Sequence, residues 1–149
     1  MKRLVALCLG LIFVVSLVLG CTSNKNSVSS SAPSTNTISE QGTYTSKDEV
    51  ALYIHTYKKL PANFISKKEA RKLGWRSKGT LDEVAPGKSI GGDRFGNFEK
   101  QLPVKPGVHY IECDIDYIKG KRGPKRIVFS NEGAIYYCGD HYKTFEKLY

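Results

Sequence analysis

Three residue groups in this chain have types and spacings that could do chemistry. His141 stands in Gly139-Asp140-His141-Tyr142, just past an apolar strand, in a loop from which a side chain can reach a ligand and exchange a proton near neutrality. His55, inside a helix, and His109, opening a strand, read as structural. In Tyr110-Ile-Glu112-Cys-Asp114-Ile-Asp116 a period of two predicts Glu112, Asp114 and Asp116 on one face of a strand. Lys121-Arg122 and Lys125-Arg126 follow, and Arg126 enters the next strand. If the two strands are antiparallel neighbours, a Glu and one or more Arg face each other. That is either a cross-strand salt bridge on a solvated face, worth less than about 1 kcal/mol, or a carboxylate base beside a phosphate-binding guanidinium cluster. No CxxC, HExxH or close His pair supports a metal site, and no cofactor is implied. Gly91-Gly92-Asp93 fits neither nucleotide-binding glycine spacing and reads as a turn with close backbone approach.

The elements that must position these groups are marked by local signals. Ser46-Lys-Asp-Glu49, Ser66-Lys-Lys-Glu69 and Thr80-Leu-Asp-Glu83 each place a hydroxyl at a helix cap and a Glu three residues on. The first helix puts Val50, Tyr53, Ile54 and Tyr57 on one face and ends before Pro61. The second closes at Leu73-Gly74, and Pro86 stops the third. Val108 to Ile115, Arg126 to Ser130 and Ala134 to Cys138 then read as strands, with Asn131-Glu-Gly133 as the last turn. Helices first and strands afterwards predict an α+β domain, N-terminal helices packed on a C-terminal antiparallel sheet.

The chain has 149 residues, 23 Lys+Arg and 14 Asp+Glu, with 40% hydrophobic and 25% charged residues. That suffices for one ordinary domain and excludes a disordered chain or a multi-span membrane protein. Met1 to Gly20 reads as an export signal, with Lys2-Arg3 ahead of an apolar run. Val18-Leu19-Gly20-Cys21 resembles a bacterial lipoprotein signal, which would leave Cys21 lipidated and first in the mature protein; an ordinary cleaved signal or an uncleaved anchor is the alternative. The segment 21–45 is rich in Ser, Thr and Asn and reads as a flexible tether. The domain is 46–149. Setting aside Lys2, Arg3, Lys25 and Glu40 leaves 20 basic and 13 acidic residues, so a net +7 belongs to the domain and favours anionic partners.

Several runs in 46–149 are similar to one family in the same order: Tyr57-Lys-Lys-Leu60-Pro61-Ala-Asn63-Phe-Ile65-Ser-Lys67, Leu73-Gly74-Trp75, Ser77-Lys78-Gly79, Val84 to Asp93, and Asp140-His141-Tyr142-Lys-Thr-Phe145. They resemble the barnase-like, guanyl-preferring microbial ribonucleases. The resemblance implies the microbial ribonuclease fold, Glu112 as general base and His141 as general acid. It also implies Lys67, Arg122 and Arg126 as the cations around the scissile phosphate. Base choice falls to the loop Phe95-Gly96-Asn97-Phe98-Glu99: Glu99 would accept guanine protons, the N–H groups of Asn97 and Phe98 would meet O6, and Phe95 and Tyr142 would pack on the base. Asp93 falls near the same site as a supporting carboxylate. Phe98 stands where the family has an arginine, and Gly96 where it has a serine. That loss weakens the local pull on phosphate or on an acidic partner and leaves the backbone donors in place.

The resemblance also implies a monomer, RNA as substrate and an acidic, barstar-like inhibitor protein as partner. It leaves Cys113 and Cys138 unexplained. Outside the cytoplasm they could be bonded, but in such a sheet another strand separates them, and a free Cys113 on the core face is the preferred reading. The expectation is therefore a lipid-anchored or secreted, extracytoplasmic endoribonuclease that cuts single-stranded RNA after G without a metal, through a 2′,3′-cyclic phosphate. The alternative is a catalytically weak or inactive surface lipoprotein that binds RNA or another polyanion.

Overall fold

Helices begin where hydroxyl caps predict them at two of the three positions. The computed structural model describes residues 37–149; the signal segment, Cys21 and the tether up to residue 36 lie outside the described residues. Ser46 caps α1 (Lys47–Tyr57), accepting the Glu49 N–H at 3.4 Å. Ser66 caps α2 (Lys67–Lys72) with both halves of the capping box present. At Thr80 the expected third helix shrinks to one 3-10 turn, Leu81–Glu83, with no side-chain cap. The reason is a competitor: the Tyr117 hydroxyl accepts the N–H groups of Leu81 and Asp82 at 3.2 and 3.3 Å, leaving the buried Thr80 hydroxyl without a partner among the described residues.

Among the described residues six strands form one sheet in chain order: β1 (Phe64–Ile65), β2 (Ser89–Phe95), β3 (Tyr110–Asp114), β4 (Arg126–Ser130), β5 (Ile135–Cys138) and β6 (Glu146–Lys147). All neighbours are antiparallel except β1 and β2. The α+β architecture is the expected one. Val50, Ala51 and Ile54 of α1 pack on Cys113, Ile127 and Ile135, covering one face of the sheet. Strand alternation then sends Glu112, Asp114 and Arg126 to the other face.

Two further expectations need correction. Gly91-Gly92-Asp93 is not a turn but part of β2, where a bulge lies between Gly91 and Asp93 and Gly92 takes φ +95°. The close backbone approach is real, since a Cβ at Gly91 would lie 2.7 Å from both Cys113 Cβ and Phe64 Cδ1. The segment 21–45, read as tether, also joins the domain before its end. Tyr53 and Tyr57 donate to the carbonyls of Glu40 and Ile38 at 2.9 and 2.6 Å, and Tyr44 exchanges two hydrogen bonds with Asn63. Residues 38–44 are thus bonded to the domain, because α1 offers tyrosine hydroxyls that a Ser/Thr-rich backbone can satisfy.

Gly91→Ala should destabilise the fold by about 1–3 kcal/mol through overpacking. Gly123→Ala, where nothing lies within 4 Å of the added methyl, should stay within about 0.5 kcal/mol. Urea midpoints of the two variants check the contrast.

Candidate active site

The sheet register decides which charges meet. Asp114 pairs with Arg126 across β3 and β4, and Arg126 pairs with Cys138 across β4 and β5. The expected Glu–Arg juxtaposition is therefore an Asp–Arg one, since Glu112 sits opposite Val128. Asp114, almost fully buried, accepts a fork from Arg122 (Nε 2.6 Å, Nη2 2.7 Å) and approaches Arg126 Nε at 3.1 Å. Arg126 is fixed further by donating through Nη1 to the carbonyls of Gly123 and Lys125, both at 2.7 Å. Asp116 does not share this face. The strand ends at Asp114, Asp116 takes φ +57°, and its carboxylate pairs with Lys125 at 2.6 Å on the surface.

Glu112 is 7% exposed and has two partners: Lys67 Nζ at 2.5 Å on one oxygen and the Tyr142 hydroxyl at 2.6 Å on the other. The β2 bulge places Asp93 directly opposite Glu112. Two carboxylates in that position repel. Lys67, at the start of α2, answers both, with its ammonium on Glu112 and its backbone N–H donating to Asp93 Oδ2 at 2.9 Å. Burial, reinforced by the bond to Glu112, pushes the Tyr142 pKa well up, so the phenol keeps its proton and donates it. Tyr142 also accepts from Arg126 Nε at 3.1 Å, linking Glu112 to the guanidinium pair.

His141 is carried by a turn held from three directions. Its N–H donates to Pro124 O at 3.3 Å. The buried Cys138 thiol accepts the Tyr142 N–H at 2.7 Å. Asp140 accepts the N–H groups of Lys143 and Thr144, both at 3.0 Å, and the Thr144 hydroxyl at 2.7 Å. Those bonds, the Thr144 hydroxyl first, hold the Asp140 carboxyl far below the usual carboxylate range. His141 and Tyr142 both take positive φ, 59° and 71°, which non-glycine residues adopt only where surroundings enforce it. The result exposes the His141 ring beside two cavities.

The first cavity, about 580 Å³, is lined by Phe95, Asn97, Phe98, Glu99, Gln101, His141 and Tyr142 among others. Phe95 packs against Tyr142 with ring centroids 5.3 Å apart. Asn97, at φ +45°, closes the loop by exchanging two side-chain bonds with Leu102 at 2.8 and 3.0 Å. The N–H groups of Asn97 and Phe98 have no acceptor among the described residues. Gln101 donates to Glu99 Oε2 at 2.7 Å and to Tyr142 O at 3.1 Å, tying this loop to the histidine turn. The second cavity, about 630 Å³, is cationic: Lys78, Lys121, Arg122, Arg126 and His141 share its lining.

The structure thus brings Phe95, Asn97, Phe98, Glu99, Tyr142 and His141 to one cavity and His141, Arg122 and Arg126 to the next. Glu112, Lys67 and Asp93 form the adjoining ion-paired cluster. Among the described residues no group of three His, Cys, Asp or Glu side chains could hold a metal ion. Sequence reasoning left Gln101, Cys138 and Asp140 without a role. Asp140 had a readable signal, since Asp-x-x-x-Thr before an aromatic residue can fold back on its own N–H groups; Gln101 and Cys138 had none. Asp114→Asn should cost about 3–5 kcal/mol, because two guanidiniums would lose their shared counter-charge. A denaturant titration of the variant against wild type checks it.

This arrangement accompanies a match to known proteins. Residues 46–149 match the ribonuclease family. A ribonuclease from Heyndrickxia coagulans is 51% identical over 102 residues, covering 68% of this chain and 94% of that protein. Ribonucleases from Bacillus intermedius and Bacillus pumilus are each 51% identical over 102 residues, covering 68% of this chain and 63% of theirs. With the family match spanning the whole sheet, both cavities and the Glu112 cluster, the chain belongs to the ribonuclease family, whose substrate is RNA.

Proposed function

We propose that this protein is an extracytoplasmic endoribonuclease that cuts single-stranded RNA after G by general acid–base catalysis without a metal. One observation carries the reading: His141 lines both a base-sized cavity with a carboxylate and free backbone donors and a cationic cavity, so one nucleotide can lie across it. Guanine would enter the first cavity. Glu99 would accept its N1–H and amino protons, and the free N–H groups of Asn97 and Phe98 would donate to O6, with Phe95 and Tyr142 supplying the aromatic wall.

The 3′ phosphate then lies towards Arg122 and Arg126. Glu112 removes the ribose 2′-OH proton, and the 2′ oxygen attacks phosphorus. The bond to the 5′ oxygen of the next nucleotide breaks as His141 protonates that oxygen, leaving a 2′,3′-cyclic phosphate. In the second step His141 takes a proton from a water molecule as its oxygen bonds to phosphorus, the bond from phosphorus to the 2′ oxygen breaks, and Glu112 returns a proton to that oxygen, leaving a 3′ phosphate. Arg122, Arg126 and Lys67 stabilise the charge growing on the non-bridging oxygens. DNA lacks the 2′-OH, so it is bound and left intact.

Location follows from the N-terminal signal, with lipidation at Cys21 as its anchor, and the basic face is suited to an acidic inhibitor protein. Purified protein given a defined oligonucleotide and a chelator should yield cyclic-phosphate ends after G. Glu112→Ala and His141→Ala should each slow cleavage about 10²- to 10⁴-fold. Cleavage as fast in the doubly substituted protein as in wild type would refute the mechanism. Labelled fatty acid should be incorporated by wild type and not by Cys21→Ala.

A further inference from the structure

The loop Phe95–Phe98 has a cavity on each side. On the side away from Glu99 and His141 lies a groove of about 300 Å³, with Arg94, Phe98, Lys100, Lys105 and His109 in its lining and no carboxylate. Lys47, Lys59, Lys67, Arg122, Lys125 and Arg126 each have a carboxylate partner. The side chains of Arg94, Lys100 and Lys105 have no ion pair among the described residues. Phe98, which belongs to both linings, is 93% exposed. Its ring crosses the crest of the loop over Gly96, where any Cβ would collide with it.

Such an aromatic contributes nothing to a core. A solvent-facing ring next to uncompensated cations is instead the combination that holds single-stranded nucleic acid, with the ring stacking a base and the cations following the backbone. Strand polarity fixes which segment can arrive there. In the proposed mode the 3′ phosphate of the bound guanosine lies at His141, Arg122 and Arg126, so the strand leaves in the 3′ direction on that side. The far side of the loop is open to the 5′ strand.

We propose that this groove is a subsite for the one to three nucleotides 5′ of the guanosine, with Phe98 stacking the first base and Arg94, Lys100 and Lys105 holding phosphates. The assignment rests on the guanosine reading for its direction. A strand binding here tightens capture of RNA that continues upstream of the cut, and it distinguishes internal guanosines from those at a 5′ end.

The test uses uncleavable deoxyoligonucleotides and the whole protein. Affinities are measured for a deoxyguanosine–deoxycytidine dinucleotide alone, with three thymidines on its 5′ side, and with three on its 3′ side. Wild type should bind the 5′-tailed strand about tenfold more tightly than the dinucleotide. In the triple variant Arg94→Gln, Lys100→Gln, Lys105→Gln that gain should vanish while dinucleotide affinity stays within twofold. Each single-strand phosphate adds about 0.7 to the slope of log affinity against log salt, so the variant's slope for the 5′-tailed strand should fall by about 2.

A 5′ tail that adds nothing overturns the subsite. So does a gain from the 3′ tail alone, or an acidic peptide that displaces the tailed strand while the tail itself brings no gain. Replacing the guanosine by cytidine separates the two readings. If dinucleotide affinity is unchanged but the 5′ gain persists, the guanine reading falls and the groove stands. If guanosine is selected and the tail is silent, the groove falls and the guanine reading stands.

Discussion

One buried carboxylate makes the cationic half of the site possible. Two guanidiniums brought close enough to share a phosphate repel each other, and that repulsion is large where water is excluded. Asp114 lies beneath both, accepting two bonds from Arg122 and meeting Arg126 at 3.1 Å. The bonds use Nε and Nη2 of Arg122, while Arg126 spends Nε on Asp114 and Tyr142 and Nη1 on two carbonyls. Arg122 Nη1 and Arg126 Nη2 remain without an acceptor among the described residues. Donors left over in this way are already oriented before a phosphate arrives, so little reorganisation accompanies charge build-up.

The same logic of compensated repulsion governs the other half. A bulge at Gly91–Asp93 sets Asp93 against Glu112, an arrangement that would not persist between two bare carboxylates. Lys67 joins them by two different atoms. Its backbone is placed by the complete Ser66–Glu69 capping box, so a local helix signal far from β3 in sequence fixes the electrostatics of the Glu112 cluster. Tyr142 closes the circuit. It contacts Glu112 and Arg126 through a single hydroxyl, and both halves are therefore tied to each other and to the turn that carries His141.

Much of this is legible in the chain, for identifiable reasons. Hydroxyl–Glu spacing marks α1 and α2 because capping is local chemistry. It misleads at Thr80 because Tyr117, 37 positions away, supplies the hydroxyl instead. Strand β2 is hidden by Gly91 and Gly92: they break the period-two pattern, and the need for Gly91 arises from Cys113 and Phe64 on neighbouring strands, that for Gly92 from its positive φ at the bulge. Alternation through Glu112 and Asp114 reads correctly, then fails at Asp116, where the strand has ended. Partner choice between the carboxylates and arginines depends on register, and a two-residue difference, which keeps every side chain on its face, exchanges Glu112 for Asp114 opposite Arg126. His141, Glu112 and the loop at 95–99 are identifiable through family resemblance; their chemistry alone leaves a surface salt bridge equally open.

The two domain cysteines show how sheet order settles what composition leaves open. Cys113 is on β3 and Cys138 on β5, with β4 between them. Two strand spacings amount to about 9.6 Å, beyond the reach of a disulfide without backbone movement. Alternation also turns them to opposite faces. Both are free and buried, and they serve different ends. Burial, reinforced by Asp114, raises the Cys113 pKa, so it remains a neutral thiol in the core against Gly91. Cys138 accepts the Tyr142 N–H on the site face. A disulfide would remove that acceptor and release the turn on which His141 and Tyr142 hold their positive φ, so the free thiol is the form that keeps the site assembled.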